Sequence, residues 1–148
     1  MLRAVLDTNI LVSAILSKSG APAQVVDAWQ ARKFLVISSK TAILETEHVL
    51  NDLHTTGKYQ ITGEQISGLL HLLRTDALLV PGQSDVTRVI PADPTDEIFL
   101  SIALDGEAQF IVSGDHHLLD LGTYHDIRIQ TARQFLESLI ATEKITGI

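Results

Sequence analysis

The feature that most constrains this chain is a recurring pairing. Short, wholly apolar runs each stop where a helix can begin. Ala4-Val5-Leu6 stops at Asp7, Phe34-Leu35-Val36-Ile37 at Ser38-Ser39, and Phe110-Ile111-Val112 at Ser113-Gly114-Asp115. Runs this short and this apolar predict strands buried on both faces. The intervening segments carry helix signals. Ile10 to Leu16 predicts a helix that Ser19-Gly20-Ala21-Pro22 breaks, and Pro22 can open a second helix at its first position, running to about Arg32. Ser39 can cap a third. Thr62 and Gln65 have capping-box spacing ahead of Ile66, Leu69, Leu70 and Leu73, which share one helical face. Ala77 to Val80 predicts a further strand, stopped at Pro81-Gly82, and Val86 to Ile90 fits either a strand or a loop. Asp93-Pro94-Thr95-Asp96 predicts a helix start, with Asp93 as cap, Pro94 at the first position and Phe99, Ile102 and Ala103 on the buried face. Ile127 and Ile129, alternating about Arg128, predict an edge strand. Thr131 and Gln134 repeat the capping box before a last helix with Phe135, Leu136, Leu139 and Ile140 inward, and the residues from about Thr142 are expected to be loose. Strands alternating with helices predict an α/β fold on a parallel sheet.

The 148 residues suit one domain, residues 1–148 with a core from about 3 to 140. The chain has no cysteine, which excludes disulfide staples, thiolate catalysis and a cysteine-based zinc site. Asp7 interrupts the first apolar run before a signal peptide could form. No stretch approaches the ~18 apolar residues of a membrane span. A cytoplasmic protein with no membrane association is expected. The net charge of −7 argues against a general nucleic-acid binder, which is usually basic. A carboxylate cluster built to hold cations accounts for part of that imbalance, and an acidic surface also suits a basic protein partner.

Two apolar strands end in aspartate, Asp7 and Asp115. Ligands of an open α/β sheet bind at the carboxyl ends of its strands. If the two strands are parallel neighbours, both acids reach one rim. Either could instead simply cap the helix that follows. Asp96 falls at the third position after Asp93, where an acid suits the helix N-terminus, yet the cluster Asp93, Asp96, Glu97 is the densest acidic stretch. Glu45 and Glu47 lie on opposite edges of an apolar arc formed by Ala42, Ile43, Val49, Leu50 and Leu53, and periodicity does not choose between them. Asn9 can orient a carboxylate or cap a helix. Ser113 can bond a site acid or fill a turn. The histidines lack zinc-motif spacing, and His48, His54 and His71 are expected on exposed helix faces; His116-His117 directly follows Asp115 and can face the cleft. No phosphate loop and no GxSxG elbow occur. An acid-rich, cysteine-free site suits hard cations such as Mg²⁺ or Mn²⁺, since crowded carboxylates repel until a cation neutralises them. Such sites serve displacement at phosphorus by metal-activated water.

Val5-Leu6-Asp7-Thr8-Asn9-Ile10-Leu11 resembles the opening of PIN domains. Ile37-Ser38-Ser39 to Leu44-Glu45 and on to Val49-Leu50 is similar to their second motif, Asp93-Pro94-Thr95-Asp96-Glu97-Ile98-Phe99-Leu100 to their third, and Phe110-Ile111-Val112-Ser113-Gly114-Asp115 to their fourth, usually written with threonine at the place of Ser113. The match runs from about Arg3 to Ile140 with the four motifs in order. The resemblance implies a Rossmann-like, three-layer α/β/α fold with a mostly parallel sheet. It implies a Mg²⁺- or Mn²⁺-dependent endoribonuclease, commonly the toxin of a toxin–antitoxin pair. It implies Asp7, Glu45, Asp96 and Asp115 as catalytic and metal-holding acids, and it alone selects Glu45 over Glu47. Asn9, Ser113 and Asp93 become supporting residues, and Glu97 stands where some relatives have aspartate. The partners implied are an RNA substrate, a small antitoxin protein and a second copy in a homodimer. Arg32, Lys33 and Lys40 flank the second strand and are candidate cations for RNA or, more simply, a solvated face. Two other readings use the same residues: a PIN-like binding scaffold and a structure-specific DNA nuclease.

Overall fold

Strand β1 (Arg3–Leu6) lies between two parallel neighbours, β2 (Leu35–Ser38) and β4 (Phe110–Val112). In this computed structural model, which describes residues 1–84 and 97–146, the strands form one six-stranded sheet in the order β3-β2-β1-β4-β6-β5. Here β3 is Leu78–Leu79, β5 Thr123–Tyr124 and β6 Ile127–Gln130. All pairings are parallel except β5 with β6. The helices are α1 (Thr8–Leu16), α2 (Ala21–Gln30), α3 (Lys40–Thr56), α4 (Gly63–Asp76), α5 (Glu97–Asp105), α6 (His116–Leu119) and α7 (Ala132–Thr146).

Strand side chains alternate between two cores, which is why β1, β2 and β4 are apolar throughout. Ala4, Leu6, Val36, Phe110 and Val112 join a core with α1, α2, α3, α4 and α7. Val5, Ile37 and Ile111 join a second core with α5 and α6. The result is a three-layer α/β/α fold. Phe135 of α7 sits fully buried in the first core, edge-on to Phe34 (4.9 Å between centroids) and to Phe110 (5.3 Å). Gly106 marks a tight approach on the other face: a Cβ there would meet Ile37 Cγ2 at 2.3 Å.

The capping signals act as expected. Ser39 accepts from Ala42 N–H, and Thr62–Gln65 closes a complete capping box. Thr131 and Gln134 exchange the same pair of bonds. Ile66, Leu69, Leu70 and Leu73 are all buried.

Other expectations need correction. Pro22 is the second residue of α2, because Gly20 is the cap; its missing N–H falls among the unpaired first-turn donors either way. β6 is not the edge, since the short strand β5 pairs beyond it. Its exposed Arg128 instead covers the Phe110 ring, 5.6 Å from the centroid. Ile140 is exposed, on the outer side of α7, and the helix continues to Thr146 where a loose end was expected. Helix α6 follows the Asp115 cap and buries Leu118 fully. The Val86–Ile90 stretch and the Asp93–Asp96 helix start lie outside the described residues.

Phe135→Ala is expected to lower unfolding free energy by about 3–5 kcal/mol, the range for deleting a buried ring. Urea unfolding measures this. A loss under about 1 kcal/mol would show that the ring does not organise this core.

Candidate functional site

The strand order runs one way from β1 to β2 and β3, then resumes on the other side of β1 with β4. The reversal leaves a crevice at the carboxyl ends of β1 and β4, where open α/β sheets bind ligands. Leu6 is in register with Val112, and Asp7 N–H donates to Val112 O (3.0 Å), so the residues after both strands emerge side by side. Those residues are Asp7 and Ser113-Gly114-Asp115.

Asp7 is only 4% exposed. Its Oδ2 accepts the Ser113 hydroxyl at 2.6 Å, and its Oδ1 accepts Asn9 N–H at 3.4 Å. Ser113, fully buried, also accepts Asp115 N–H on the same Oγ at 3.0 Å. One hydroxyl therefore ties the two acids together. Asp115 Oδ1 accepts His117 N–H at 2.8 Å. Both aspartates are helix N-caps, Asp7 of α1 and Asp115 of α6. The capping and site readings of the sequence are thus compatible, because the cap bonds fix where each carboxylate points.

Burial pushes the Asp7 carboxyl above its ordinary range, and the nearby charge of Asp115 pushes it further; the Ser113 hydroxyl and the Asn9 N–H oppose this without cancelling it. Asn9 does not cap α1. Its side-chain oxygen accepts Gly114 N–H (3.3 Å) and clips the two rim loops together.

Glu45 lies half-buried on α3, and its Oε2 is shielded from solvent. Its neighbour Thr46 is buried, with its hydroxyl 3.3 Å from that of Thr8, the residue after Asp7. This polar pair belongs to the apolar arc, and sequence reasoning passed over it. Glu47 is turned to α4, where Arg74 lies 3.5 Å away. Asp93 and Asp96 lie outside the described residues; Glu97 opens α5.

Among the described residues, Asp115, His116 and His117 each bring one ligand atom to within 4.8 Å of the others. The imidazoles of His116 and His117 lie 4.1 Å apart. The sequence let this pair face the cleft through its adjacency to Asp115 but gave it no zinc-motif spacing, and the structure groups it with Asp115. His48, His54 and His71 are exposed, as expected. Arg32 and Lys33 precede β2, at the amino ends of the strands and opposite the crevice, and Lys33 pairs with Glu143 at 3.5 Å. Lys40 opens α3 on the crevice side.

The donor set suits a divalent cation. Two mutually repelling carboxylates meet at one rim, where the buried Ser113 hydroxyl donates to the Asp7 carboxylate and accepts the backbone N–H of Asp115. A sequence model of the PIN domain matches residues 3–117. The chain belongs to the PIN domain family. PIN domains usually bind divalent metal ions and typically act as metal-dependent nucleases. This PIN domain is similar in fold to a chain in the crystal structure of VapBC2 from Rickettsia felis bound to a DNA fragment from their promoter. The TM-score is 0.56 at 14% identity, covering 88% of this chain and 98% of that one. No curated protein sequence matches it. No described helix is long and apolar enough to cross a membrane.

Because the folded protein raises the Asp7 pKa above its ordinary value of 3.8, the folded state binds more protons than the unfolded state as pH rises past that value. Stability of the metal-free protein therefore falls through that window and stays lower above it. Asp7→Asn is expected to melt above the parent at pH 7 in EDTA, with the difference closing toward pH 3.5. Thermal melts across pH test this; a variant less stable than the parent at pH 7 would contradict it.

Proposed function

We propose that this PIN domain is a metal-dependent endoribonuclease, the toxin of a toxin–antitoxin pair. The observation that carries the reading is the shared Ser113 hydroxyl, which holds Asp7 and Asp115 at one crevice despite their repulsion. An arrangement that raises the energy of its own ionised state is poor capping chemistry and good cation-holding chemistry. Asp7, Glu45, Asp96 and Asp115 are the proposed metal-holding and catalytic acids, with Mg²⁺ or Mn²⁺ as the ion. A bound divalent cation would supply the charge that brings a water toward hydroxide at neutral pH and offsets charge building on the phosphate.

The chain's own residues do the positioning. Ser113 and the Asn9 N–H each use one lone pair of Asp7, and a carboxylate has further lone pairs to offer a cation. The Asn9–Gly114 clip keeps the two loops from parting. Burial of Asp7 keeps bulk water from weakening these interactions. Asp93 is proposed to assist from the edge. The fold-level likeness to VapBC2, solved on a DNA fragment from their promoter, supports a small antitoxin partner and a homodimer. Cytoplasmic action on RNA follows from the same reading.

Purified protein is expected to cleave single-stranded RNA with Mn²⁺ or Mg²⁺ and to lose cleavage in EDTA. Asp7→Asn should lower the rate roughly 100- to 1,000-fold, the scale of several kcal/mol of lost charge stabilisation. Ser113→Ala should cost about 10- to 100-fold, as for other groups that orient metal ligands. A panel of RNA and DNA substrates makes the test. Cleavage of DNA alone would change the substrate, and no cleavage of either by folded protein would sink the nuclease reading.

A further inference from the structure

The acidic crevice does not explain how a chain of net charge −7 holds a polyanion beside its own carboxylates. A metal ion offsets charge at one phosphate only, and the flanking phosphates need donors elsewhere. Among the described residues, one cavity beside the crevice suits that. A cavity of about 560 Å³ opens next to the crevice, lined by Asn9, Ser13, Ser113, Gly114, Thr131 and Arg133 among others. Ser113 is shared: the hydroxyl that bonds Asp7 belongs to a residue of the cavity wall. The cavity is therefore one hydrogen bond from the proposed catalytic acid.

Its lining differs from that of four other cavities. Among the described residues no carboxylate lines it, and it carries a guanidinium, hydroxyls and a side-chain amide. Four other cavities, of about 410 to 710 Å³, each carry at least one acid: Asp76, Glu137, Glu143, or Asp27 with Glu64. Arg133 is exposed, and among the described residues no ion pair engages it. Lys40, at the start of α3, stands on the β2 side of the crevice, and three other cations are engaged elsewhere. Arg74 is paired with Glu47, Lys33 with Glu143, and Arg3 donates to Gly106 O at the amino ends of the strands. A planar guanidinium suits a phosphodiester, because its parallel N–H groups match two phosphate oxygens.

We infer that this cavity is a binding subsite for the phosphodiester backbone of the single-stranded RNA flanking the scissile bond, with Arg133 as its phosphate-contacting residue. The inference rests on the ribonuclease reading above. Arg133 is a substrate-positioning residue and takes no part in the reaction at the acids. Asn9 and Ser13 add neutral donors to the same wall.

Steady-state cleavage of a single-stranded RNA by the full chain, at several salt concentrations, tests it. Arg133→Ala is expected to raise KM on the order of tenfold with kcat within about twofold, the scale of one charge-assisted hydrogen bond. The slope of log KM against log salt should flatten by about 0.7, the share of one phosphate contact on a single strand. Arg133→Lys should recover most of the salt slope. Arg32→Ala, at the amino ends of the strands and opposite the crevice, should leave KM unchanged. Mn²⁺ affinity by calorimetry and the melting temperature should match the parent in Arg133→Ala. If the parent cleaves RNA and Arg133→Ala keeps both its KM and its salt slope, the subsite is wrong while the nuclease reading stands. If the folded parent neither cleaves nor binds RNA, both fall together.

Discussion

The parallel pairing of β1 with β4 is the constraint on which the rest depends. Its register, Leu6 opposite Val112, decides that the residues following the two strands are neighbours. Those strands are more than a hundred residues apart in sequence, and only the sheet brings Asp7 to Ser113 and Asp115. A slip of one residue would send every strand side chain to the opposite core. Both faces resist such a slip, since Leu6 and Val112 pack under α1, α2 and α7 while Val5 and Ile111 pack under α5. The core thereby holds the crevice in register.

Within that frame the site works against local stability. Asp7 is buried, and Asp115 repels it. Part of the burden is offset by bonds that also serve the fold. Each carboxylate caps a helix, the Ser113 hydroxyl donates to one acid and accepts from the backbone of the other, and Asn9 joins the loops. What remains unbalanced is negative charge in a half-closed crevice, which a divalent cation satisfies. A cavity with Arg133, lined by no carboxylate among the described residues, adjoins the acids, so the positive charge that the proposed RNA substrate needs is local even though the whole chain is acidic.

Much of this was legible in the sequence, for identifiable reasons. Doubly buried strands need unbroken apolar runs, so β1, β2 and β4 announced themselves, as did their polar endings. The capping boxes at Thr62 and Thr131 are local chemistry and formed where read. What failed depended on contacts between elements. Periodicity could not separate Glu45 from Glu47; the pairing of Glu47 with Arg74 depends on another helix. Thr46 reads as a polar interruption until Thr8 stands opposite it. β5 makes β6 an inner strand, a fact that two residues of sequence do not signal. Arg32 and Lys33 flank β2 in sequence, but strand direction places them at its amino end, away from the crevice. Asp93 and Asp96, the third motif of the resemblance, lie outside the described residues.

The central claim is that Asp7 and Asp115 together hold a divalent cation. Mn²⁺ binding followed by electron paramagnetic resonance, on the parent, Asp7→Asn and Asp115→Asn, tests it most directly because it needs no substrate. The account predicts a bound Mn²⁺ signal in the parent that weakens at least tenfold in affinity in each variant while the proteins stay folded. Equal Mn²⁺ affinity in all three, or none in the folded parent, would contradict it.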